Sequence, residues 1–291
     1  LLEPEMLQAV EPDVHLVSTL ISLNHLMPAK TKETARIVVR KVVDELERRL
    51  AGRMQQAVTG SLNKASRNRR PKRAQDIDWG RTIRANLQHY LPEYNTIIPQ
   101  NLIGYGRQRQ SLKDIILCVD QSGSMASSVV YASLFAAVLA SIKAVSTQLV
   151  VFDTAVVDLT PMLDDPVDVL FGTQLGGGTD INKALSYCQG LIRRPEDTIV
   201  ILISDLFEGG NNTELLKRTA TLLGSGIQMI SLLALADDGA PCFDARNAAE
   251  FTALGSPTFA CTPDLFPDLM AAALNKQDIS VWAAQQGIVK H

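Results

Sequence analysis

This sequence of 291 residues has few cysteines, no long apolar run and little net charge. Its four cysteines include no CxxC pair and have no nearby histidine, so a structural zinc site is not expected. Reduced thiols are predicted, with a Cys242–Cys261 disulfide as the alternative. No apolar stretch approaches the roughly 20 residues that span a bilayer, and a net charge of −3 gives no general attraction for nucleic acid. We therefore expect a cytoplasmic protein without a membrane span.

Several sequence signatures of enzymes are also missing. A Ser-His-Asp hydrolase needs a histidine base beside its nucleophile. The four histidines all lie outside the region of alternating strands and helices: His15, His25, His89 and His291. The glycine-rich segment 176–179 is not followed by lysine, which argues against a P-loop, and no G-x-G-x-x-G follows the first predicted strand. The sequence therefore predicts a protein that binds rather than catalyses.

From about residue 113 onward, apolar runs typical of buried strands alternate with helical patterns. Such alternation predicts an α/β fold with a doubly wound, mostly parallel sheet that helices cover on both faces. The connection after Asp153 is too short for a crossover, so the following strand should pair antiparallel at an edge. The predicted strands are 114–119, 148–153, 156–160, 198–204, 227–235 and 257–261. The predicted helices are 126–145, 180–193, 212–224, 244–254 and 263–274.

The chain ahead of this region has a different character. Residues 1–63 predict helices, with one apolar stripe through Leu16 and Leu20 and a second that includes Ile37, Val38 and Val42. We divide the chain into a helical N-terminal region (1–63), a basic linker and irregular connector (64–112), the α/β domain (113–276) and a C-terminal tail (277–291). The chain begins Leu1-Leu2 without methionine, so a truncated N-terminus stays open.

The basic linker contains a run of charge at residues 64–73, Lys-Ala-Ser-Arg-Asn-Arg-Arg-Pro-Lys-Arg. Such a run is usually a solvated linker. Its functional alternative is an adaptor that binds nucleic acid, which the lack of interleaved aromatic residues makes the weaker interpretation.

Oxygen-bearing side chains stand where two predicted strands end and where a helix begins. Asp120, Ser122 and Ser124 follow the apolar run 115–119, and Gly123 lets the backbone turn closely around them. Thr179 follows three glycines, and Asp205 closes the apolar run 198–203. Hydroxyl and carboxylate oxygens suit a hard cation such as Mg²⁺, with Mn²⁺ and Ca²⁺ as alternatives. In open α/β sheets, ligands bind at the carboxyl ends of strands where the strand order reverses.

Asp-x-Ser-x-Ser, a later Thr after glycines and an Asp at the end of an apolar strand together resemble a von Willebrand factor A (VWA) domain. That resemblance implies a Rossmann-like fold and a metal-ion-dependent adhesion site. Ser122, Ser124 and Thr179 would then be direct or near-direct ligands, and Asp120 and Asp205 would act directly or through water. The segments 119–125, 174–179, 203–210 and 84–90 are similar to bacterial CoxE-like VWA proteins, in particular to those encoded beside MoxR-type AAA+ ATPases and SWIM-domain proteins.

Together these features predict a Mg²⁺-dependent protein-interaction module. Neutral hydroxyl ligands would leave the cation enough charge to accept a carboxylate from a partner protein. The resemblance implies that this partner is a MoxR-type AAA+ ATPase or its substrate, with this chain as adaptor or recruiter. A metal-dependent hydrolase and a purely structural cation site are the alternatives. Asp153, Asp180 and Glu208 lie nearby and are kept outside the predicted ligand set.

Overall fold

The computed structural model describes residues 13–24, 27–64, 67–68, 77–94, 96–105, 113–143, 145–173, 177–236 and 242–288. A six-stranded sheet contains β1 (Lys113–Asp120), β2 (Val145–Phe152), β3 (Val156–Asp158), β4 (Thr198–Ile203), β5 (Gln228–Leu235) and β6 (Thr258–Cys261). The strand order is β6-β5-β4-β1-β2-β3. All neighbours are parallel except β2 and β3, which pair antiparallel as a hairpin at one edge. This confirms the predicted fold class.

Apolar, largely β-branched sequences form the central strands because both faces of the sheet are covered. β4 is buried along its whole length, and β1 is buried from Ile115 to Asp120. Side chains of alternate residues point to opposite faces. Ile115, Leu117 and Val119 therefore enter one hydrophobic cluster, while Ile116 and Cys118 enter the other.

Ten helices accompany the strands in the described residues. They are α1 (Val14–Ser22), α2 (Ala29–Lys64), α3 (Trp79–Ala85), α4 (Ala126–Ala140), α5 (Pro166–Gly172), α6 (Ile181–Leu191), α7 (Asn212–Gly224), α8 (Ala245–Leu254), α9 (Phe266–Leu274) and α10 (Ile279–Gln285). α6, α7 and α8 supply the apolar side chains on one face of the sheet, and α4, α5 and α9 those on the other. The segment Gly123–Ala140 is long and apolar enough to cross a membrane, but most of it is buried within the protein as a core helix.

The N-terminal helices pack on the α/β domain and share its core. α2 lies against α9 and α4, and α1 lies against α4. Val39, Leu50 and Met54 are fully buried in the cluster that also contains Phe135 of α4 and Phe266 of α9. Ion pairs join Arg40 of α2 to Asp165, the N-cap of α5, and Arg53 of α2 to Asp264, which lies just ahead of α9. The stripes of the N-terminal helices are therefore packing surfaces rather than open docking faces.

Several local predictions differ from the structure. α4 ends at Ala140 rather than 145, and β2 begins at Val145 rather than 148, because Val145 pairs in register with Lys113 of β1. α5 and α10 were not predicted. α10 lies within the segment interpreted as a C-terminal tail, and it buries Ile279 and Trp282. Ile37, placed on the apolar stripe of α2, is 60% exposed, because Val38 and Val42 face the core instead. All four cysteines are free thiols, which excludes the Cys242–Cys261 disulfide.

Between α2 and β1 lies a segment that we call the connector (residues 77–94 and 96–105). It contains α3 and a short antiparallel ribbon in which Tyr90–Leu91 pairs with Thr96–Ile97. A second ribbon pairs Gly104–Tyr105 with Arg67–Asn68. Most of the basic run 64–73 lies outside the described residues, so its interpretation as linker or nucleic-acid site stays a prediction.

Candidate functional site

The predicted site residues lie at the carboxyl ends of two neighbouring strands. Asp120 is the last residue of β1, and Asp205 follows β4, which pairs with β1 throughout its length. From β1 the chain proceeds outward through β2 and β3, and from β4 it proceeds in the opposite direction through β5 and β6. The site therefore lies at the reversal of strand order, where open α/β sheets bind ligands.

Asp120 is fully buried and held on both of its carboxylate oxygens. Its Oδ1 accepts a hydrogen bond from the backbone N–H of Ser122 at 2.8 Å. Its Oδ2 accepts one from the hydroxyl of Ser204, also at 2.8 Å. The first bond forms a local turn in which the aspartate side chain accepts from the backbone N–H two residues later. The second comes from the neighbouring strand's end, so two separate segments fix the orientation of this carboxylate.

Ser122, Ser124 and Asp205 form a chain of side-chain hydrogen bonds. The hydroxyl oxygens of Ser122 and Ser124 lie 3.2 Å apart, and Ser124 Oγ donates to Asp205 Oδ2 at 2.6 Å. The turn Gly123–Met125 leads directly into α4 and presents both serines towards the end of β4. Ser124 is exposed and Ser122 is half-buried, whereas Asp120 is fully buried.

Thr179 reaches the same region through its backbone. Its carbonyl accepts a hydrogen bond from Gly209 N–H at 2.8 Å, which ties the start of α6 to the loop after Asp205. A Cβ at position 209 would lie 2.7 Å from that carbonyl oxygen, so the close approach requires glycine. Glu208 strengthens the same junction, since its Oε2 accepts from Ile181 N–H at 2.8 Å. Thr179 itself is half-exposed at the rim.

Burial raises the pKa of Asp120 to about 6, and the nearby charge of Asp205 adds to that effect. Hydrogen bonds from Ser122 and Ser204 act in the opposite direction because they stabilise the charged form. Burial likewise raises the pKa of Glu208, and the charge of Asp180 contributes. This edge of the sheet therefore concentrates negative charge that is not matched by a basic side chain in these contacts.

The residues brought together fit a hard cation by the chemistry of their donors. They offer two carboxylates and two hydroxyls, all oxygen, with no nitrogen or sulfur ligand among them. The described part of the chain contains no group of three or more His, Cys, Asp or Glu that could hold a metal. A cation here would therefore depend on hydroxyl ligands as well as on Asp120 and Asp205, and its binding stays a prediction.

The structure adds residues that the sequence interpretation left out. Ser204 donates a hydrogen bond to Asp120. Its position directly before Asp205 was the feature of the sequence that could have identified it. Leu206 has a positive φ of 63° although it is not glycine, and its side chain is fully buried. Asn247 of α8 donates to the Leu206 carbonyl at 2.9 Å, and Asp244 N–H donates to the Asp205 carbonyl at 2.8 Å. The start of α8 thus fixes the backbone on both sides of this turn.

Asp153 and Asp180 have local roles that explain their position near the site. Asp153 accepts from Ala155 N–H within the turn between β2 and β3, and its carbonyl accepts from Asp180 N–H at 2.9 Å. Asp180 is the N-cap of α6, where its side chain accepts from Lys183 N–H. Both residues therefore organise the loops around Thr179.

Two comparisons identify relatives of the chain by sequence. The family model described as "VWA domain containing CoxE-like protein" matches residues 46–270. The chain is also 37% identical over 261 residues to the uncharacterized protein YehP of Escherichia coli (strain K12). That alignment covers 89% of this chain and 69% of YehP.

Solved structures give weaker similarity. A von Willebrand factor type A protein from Catenulispora acidiphila is 14% identical with a TM-score of 0.42, over 57% of this chain and 42% of that one. The conserved hypothetical protein BatB from Bacteroides thetaiotaomicron is 16% identical with a TM-score of 0.43, over 59% of this chain and 98% of that one.

Proposed function

The chain belongs to the family of CoxE-like VWA-domain proteins, and we propose that it binds a partner protein through a cation held at the carboxyl ends of strands β1 and β4. Family membership supports a protein-interaction module in general. The specific proposal is that a hard cation, Mg²⁺ first among them, is held by Asp120, Ser122, Ser124, Thr179 and Asp205. The bound cation would offer a coordination position to a carboxylate of the partner.

One observation carries this proposal. Two carboxylates from neighbouring strands are linked through Ser122 and Ser124 by hydrogen bonds, at the switch point of the sheet. Both carboxylates are buried, and burial of like charges is costly unless a counter-charge compensates. A cation would supply that counter-charge. The exposed Ser124 and the half-buried Ser122 would leave one side of it open to a partner.

The partner that we propose is an AAA+ ATPase of the MoxR type or a substrate of that ATPase. The support is the resemblance of the motifs at 119–125, 174–179 and 203–210 to VWA proteins encoded beside such ATPases. This chain would act in the cytoplasm as an adaptor or recruiter without catalytic chemistry of its own. The partner's aspartate or glutamate would complete the cation's ligands in a charge-assisted contact.

Cation binding is tested first on the purified protein alone. Isothermal titration with Mg²⁺ and Mn²⁺ should show one site, and Asp120→Ala should weaken it at least about tenfold because a direct or water-mediated ligand is lost. Glu47→Ala, which removes an exposed carboxylate on α2, serves as the matched control and should leave binding unchanged. Equal affinity in the Asp120→Ala protein would disprove the proposed ligand set.

Partner binding is tested separately by co-purification with the ATPase from the native host. Chelation with EDTA and the Asp120→Ala change should each reduce recovery of the complex, whereas Glu47→Ala should not. If the protein binds Mg²⁺ but the complex survives both treatments, the cation is structural and does not bridge to the partner. Phosphoester substrates should not be turned over in Mg²⁺ or Mn²⁺, and turnover abolished by Asp205→Ala would favour a hydrolase instead.

A further inference from the structure

The loops that carry the proposed cation ligands bury their apolar side chains, with one exception. In the described residues of these loops (121–125, 177–181 and 204–211) the apolar side chains are Met125, Ile181, Leu206 and Phe207. The first three are at most 1% exposed, whereas Phe207 is 45% exposed. Phe207 also belongs to neither hydrophobic cluster of the described residues. Its exposure is therefore particular to this side chain, because the other apolar side chains of the same loops pack inward.

A strained turn directly precedes Phe207. Leu206 has a positive φ of 63°, a conformation that is costly for leucine and persists only where the surrounding structure holds it. Two side chains hold it here, since Asn247 Nδ2 donates to the Leu206 carbonyl at 2.9 Å and Ser204 Oγ accepts from the Leu206 N–H at 3.1 Å. The turn buries Leu206 and leaves the next side chain outside the core. Backbone strain of this kind concentrates at functional sites, which directs attention to the residue that it exposes.

The backbone after Phe207 is also fixed by hydrogen bonds. Glu208 Oε2 accepts from Ile181 N–H at 2.8 Å, and Gly209 N–H donates to the Thr179 carbonyl at 2.8 Å. Phe207 is therefore an exposed aromatic residue on a backbone that the starts of α6 and α8 hold from both sides. Binding to a surface that is already ordered avoids the entropic cost of ordering it. Aromatic residues are, moreover, enriched at protein–protein interfaces.

Phe207 lies beside a predicted ligand of the cation. Its N–H donates to Asp205 Oδ1 at 3.4 Å, and the other oxygen of that carboxylate accepts from Ser124 Oγ at 2.6 Å. A partner carboxylate that reached a cation at Asp205 and Ser124 would therefore lie close to Phe207. Successive Cα atoms of a chain are about 3.8 Å apart, so the partner residue next to that carboxylate would be the one within reach of the ring.

The ring favours an apolar side chain over a basic one. Tryptophan binds cations best among the aromatic residues, and phenylalanine offers no hydrogen-bonding group of its own. A basic side chain would also lie close to the proposed Mg²⁺, and like charges oppose association. Burial of the exposed part of the ring against an apolar side chain is favourable by itself.

We propose that Phe207 is a specificity-determining contact of the cation site and binds an apolar side chain directly next to the partner's Asp or Glu. This assignment rests on the proposed function, because the bound cation fixes where the partner's carboxylate lies. It adds a sequence preference to that function. The partner segment would carry an acidic residue flanked by a large apolar one, as in Leu-Glu or Glu-Leu, whereas a cation alone would accept any exposed carboxylate.

The test uses the full chain in Mg²⁺ and three labelled synthetic peptides that differ only at the centre of one Gly-Ser sequence. The centres are Leu-Glu-Leu, Ala-Glu-Ala and Leu-Gln-Leu, with leucine on both sides so that either direction of the peptide chain is served. Fluorescence anisotropy measures binding. The Leu-Glu-Leu peptide should bind at least about tenfold more tightly than Ala-Glu-Ala. Leu-Gln-Leu should bind at least about tenfold more weakly than Leu-Glu-Leu, because it lacks the carboxylate.

Substitutions at Phe207 separate the apolar contact from the cation. Phe207→Ser should reduce the preference for leucine to about twofold or less, whereas Phe207→Leu should keep most of it. Val157→Ser, which removes an apolar side chain of β3 that is 41% exposed, is the control and should keep the preference. Mg²⁺ titration of Phe207→Ser without peptide should match that of the unsubstituted chain, which shows that the fold and the cation site are intact. Phe207→Gln replaces this variant if it fails to fold.

Three results would each overturn the role of Phe207. They are equal binding of Leu-Glu-Leu and Ala-Glu-Ala, a leucine preference that Phe207→Ser retains, and binding of neither glutamate peptide. Equal binding that EDTA and Asp120→Ala both abolish would leave the cation-bridged function standing and remove only the contact at Phe207. Peptide binding that persists in EDTA would contradict the proposed function and, with it, this assignment.

Discussion

At the sheet edge around Asp120, polar side chains stand on a body of buried apolar strands. In the connector, by contrast, the buried side chains are polar and the apolar ones face outward. In the first arrangement, apolar burial in the strands offsets part of the cost of bringing two carboxylates together, and a cation would lower that cost further. In the second arrangement, hydrogen bonds of the buried Thr82 and Asn86 join α3 to residues 100–103. The comparison teaches that buried carboxylates and exposed apolar side chains have opposite needs: a counter-charge stabilises the first, and apolar burial stabilises the second.

The largest expected effect comes from truncating the hydrophobic core of the α/β domain. Phe135 of α4 is fully buried, and its ring lies 4.6 Å from that of Phe266 between centroids. Phe135→Ala should lower the free energy of unfolding by about 3–5 kcal/mol through lost burial and a residual cavity. Urea unfolding followed by circular dichroism measures this change. A loss below about 1 kcal/mol would show that apolar packing does not dominate the stability of this region.

The second prediction concerns the pH dependence of stability in the absence of divalent cations. The pKa of Asp120 is raised from 3.8 to about 6 in the folded protein. The folded state therefore holds a proton that the unfolded chain releases, and stability falls as pH rises from about 4 to about 6. The difference corresponds to roughly 3 kcal/mol at most.

Asp120→Asn isolates this contribution, because the asparagine does not titrate. Both proteins are unfolded in EDTA across this pH range. As pH rises from about 4 to about 6, the unfolding free energy of the protein with Asp120 should fall relative to that of the Asp120→Asn protein. Saturating Mg²⁺ should reduce the change, since a cation stabilises the charged carboxylate. Parallel stability curves for the two proteins in EDTA would contradict the raised pKa.

The third prediction tests whether the connector unfolds independently of the sheet. Asn86→Ala removes four hydrogen bonds and leaves backbone groups of Thr82, Gln100 and Asn101 without these partners. The cost should be about 1–3 kcal/mol and should appear as faster amide exchange within 78–103. Exchange in β1 and β4 should stay unchanged. Gln88→Ala, an exposed residue of the same segment, is the control. Faster exchange throughout the sheet would show that the two regions unfold as one unit.

The smallest effect is expected at the exposed apolar face of the connector. Ile98→Ser should change the free energy of unfolding by less than about 0.5 kcal/mol, because this side chain is 61% exposed. Thermal unfolding of the isolated protein measures it. Destabilisation comparable to Phe135→Ala would mean that Ile98 packs within the protein, and the contrast between the two regions would be lost.

Strong sequence patterns predicted the fold well where the physical constraint is local. Apolar strands buried on both faces, such as 114–119 and 198–204, were recognisable, and the short link after Asp153 predicted the antiparallel edge. The ends of α4 and β2 were missed, because strand pairing with Lys113 decided where β2 begins. α5 and α10 were missed because each is a seven-residue helix, too short to show a clear period.

The candidate site shows the same division. Asp120, Ser122, Ser124 and Asp205 were chosen from the sequence, and hydrogen bonds join them in the structure, while their use in binding a cation stays a prediction. Ser204, Leu206 and Asn247 were not chosen. Their importance depends on a strand end, a left-handed turn and a helix N-terminus meeting at one place, and this meeting is a property of the tertiary fold.

By itself the sequence determined the alternation of strands and helices, the oxygen donors at two strand ends and the basic charge of residues 64–112. These follow from residue type and short-range spacing. Only the tertiary structure decided that the N-terminal helices complete the core, that Ser204 orients Asp120, and that the apolar residues of the connector face outward. Those outcomes depend on which segments, distant in sequence, pack against one another and which surfaces they leave exposed. The hydrophobic pattern of a sequence does not specify these long-range contacts.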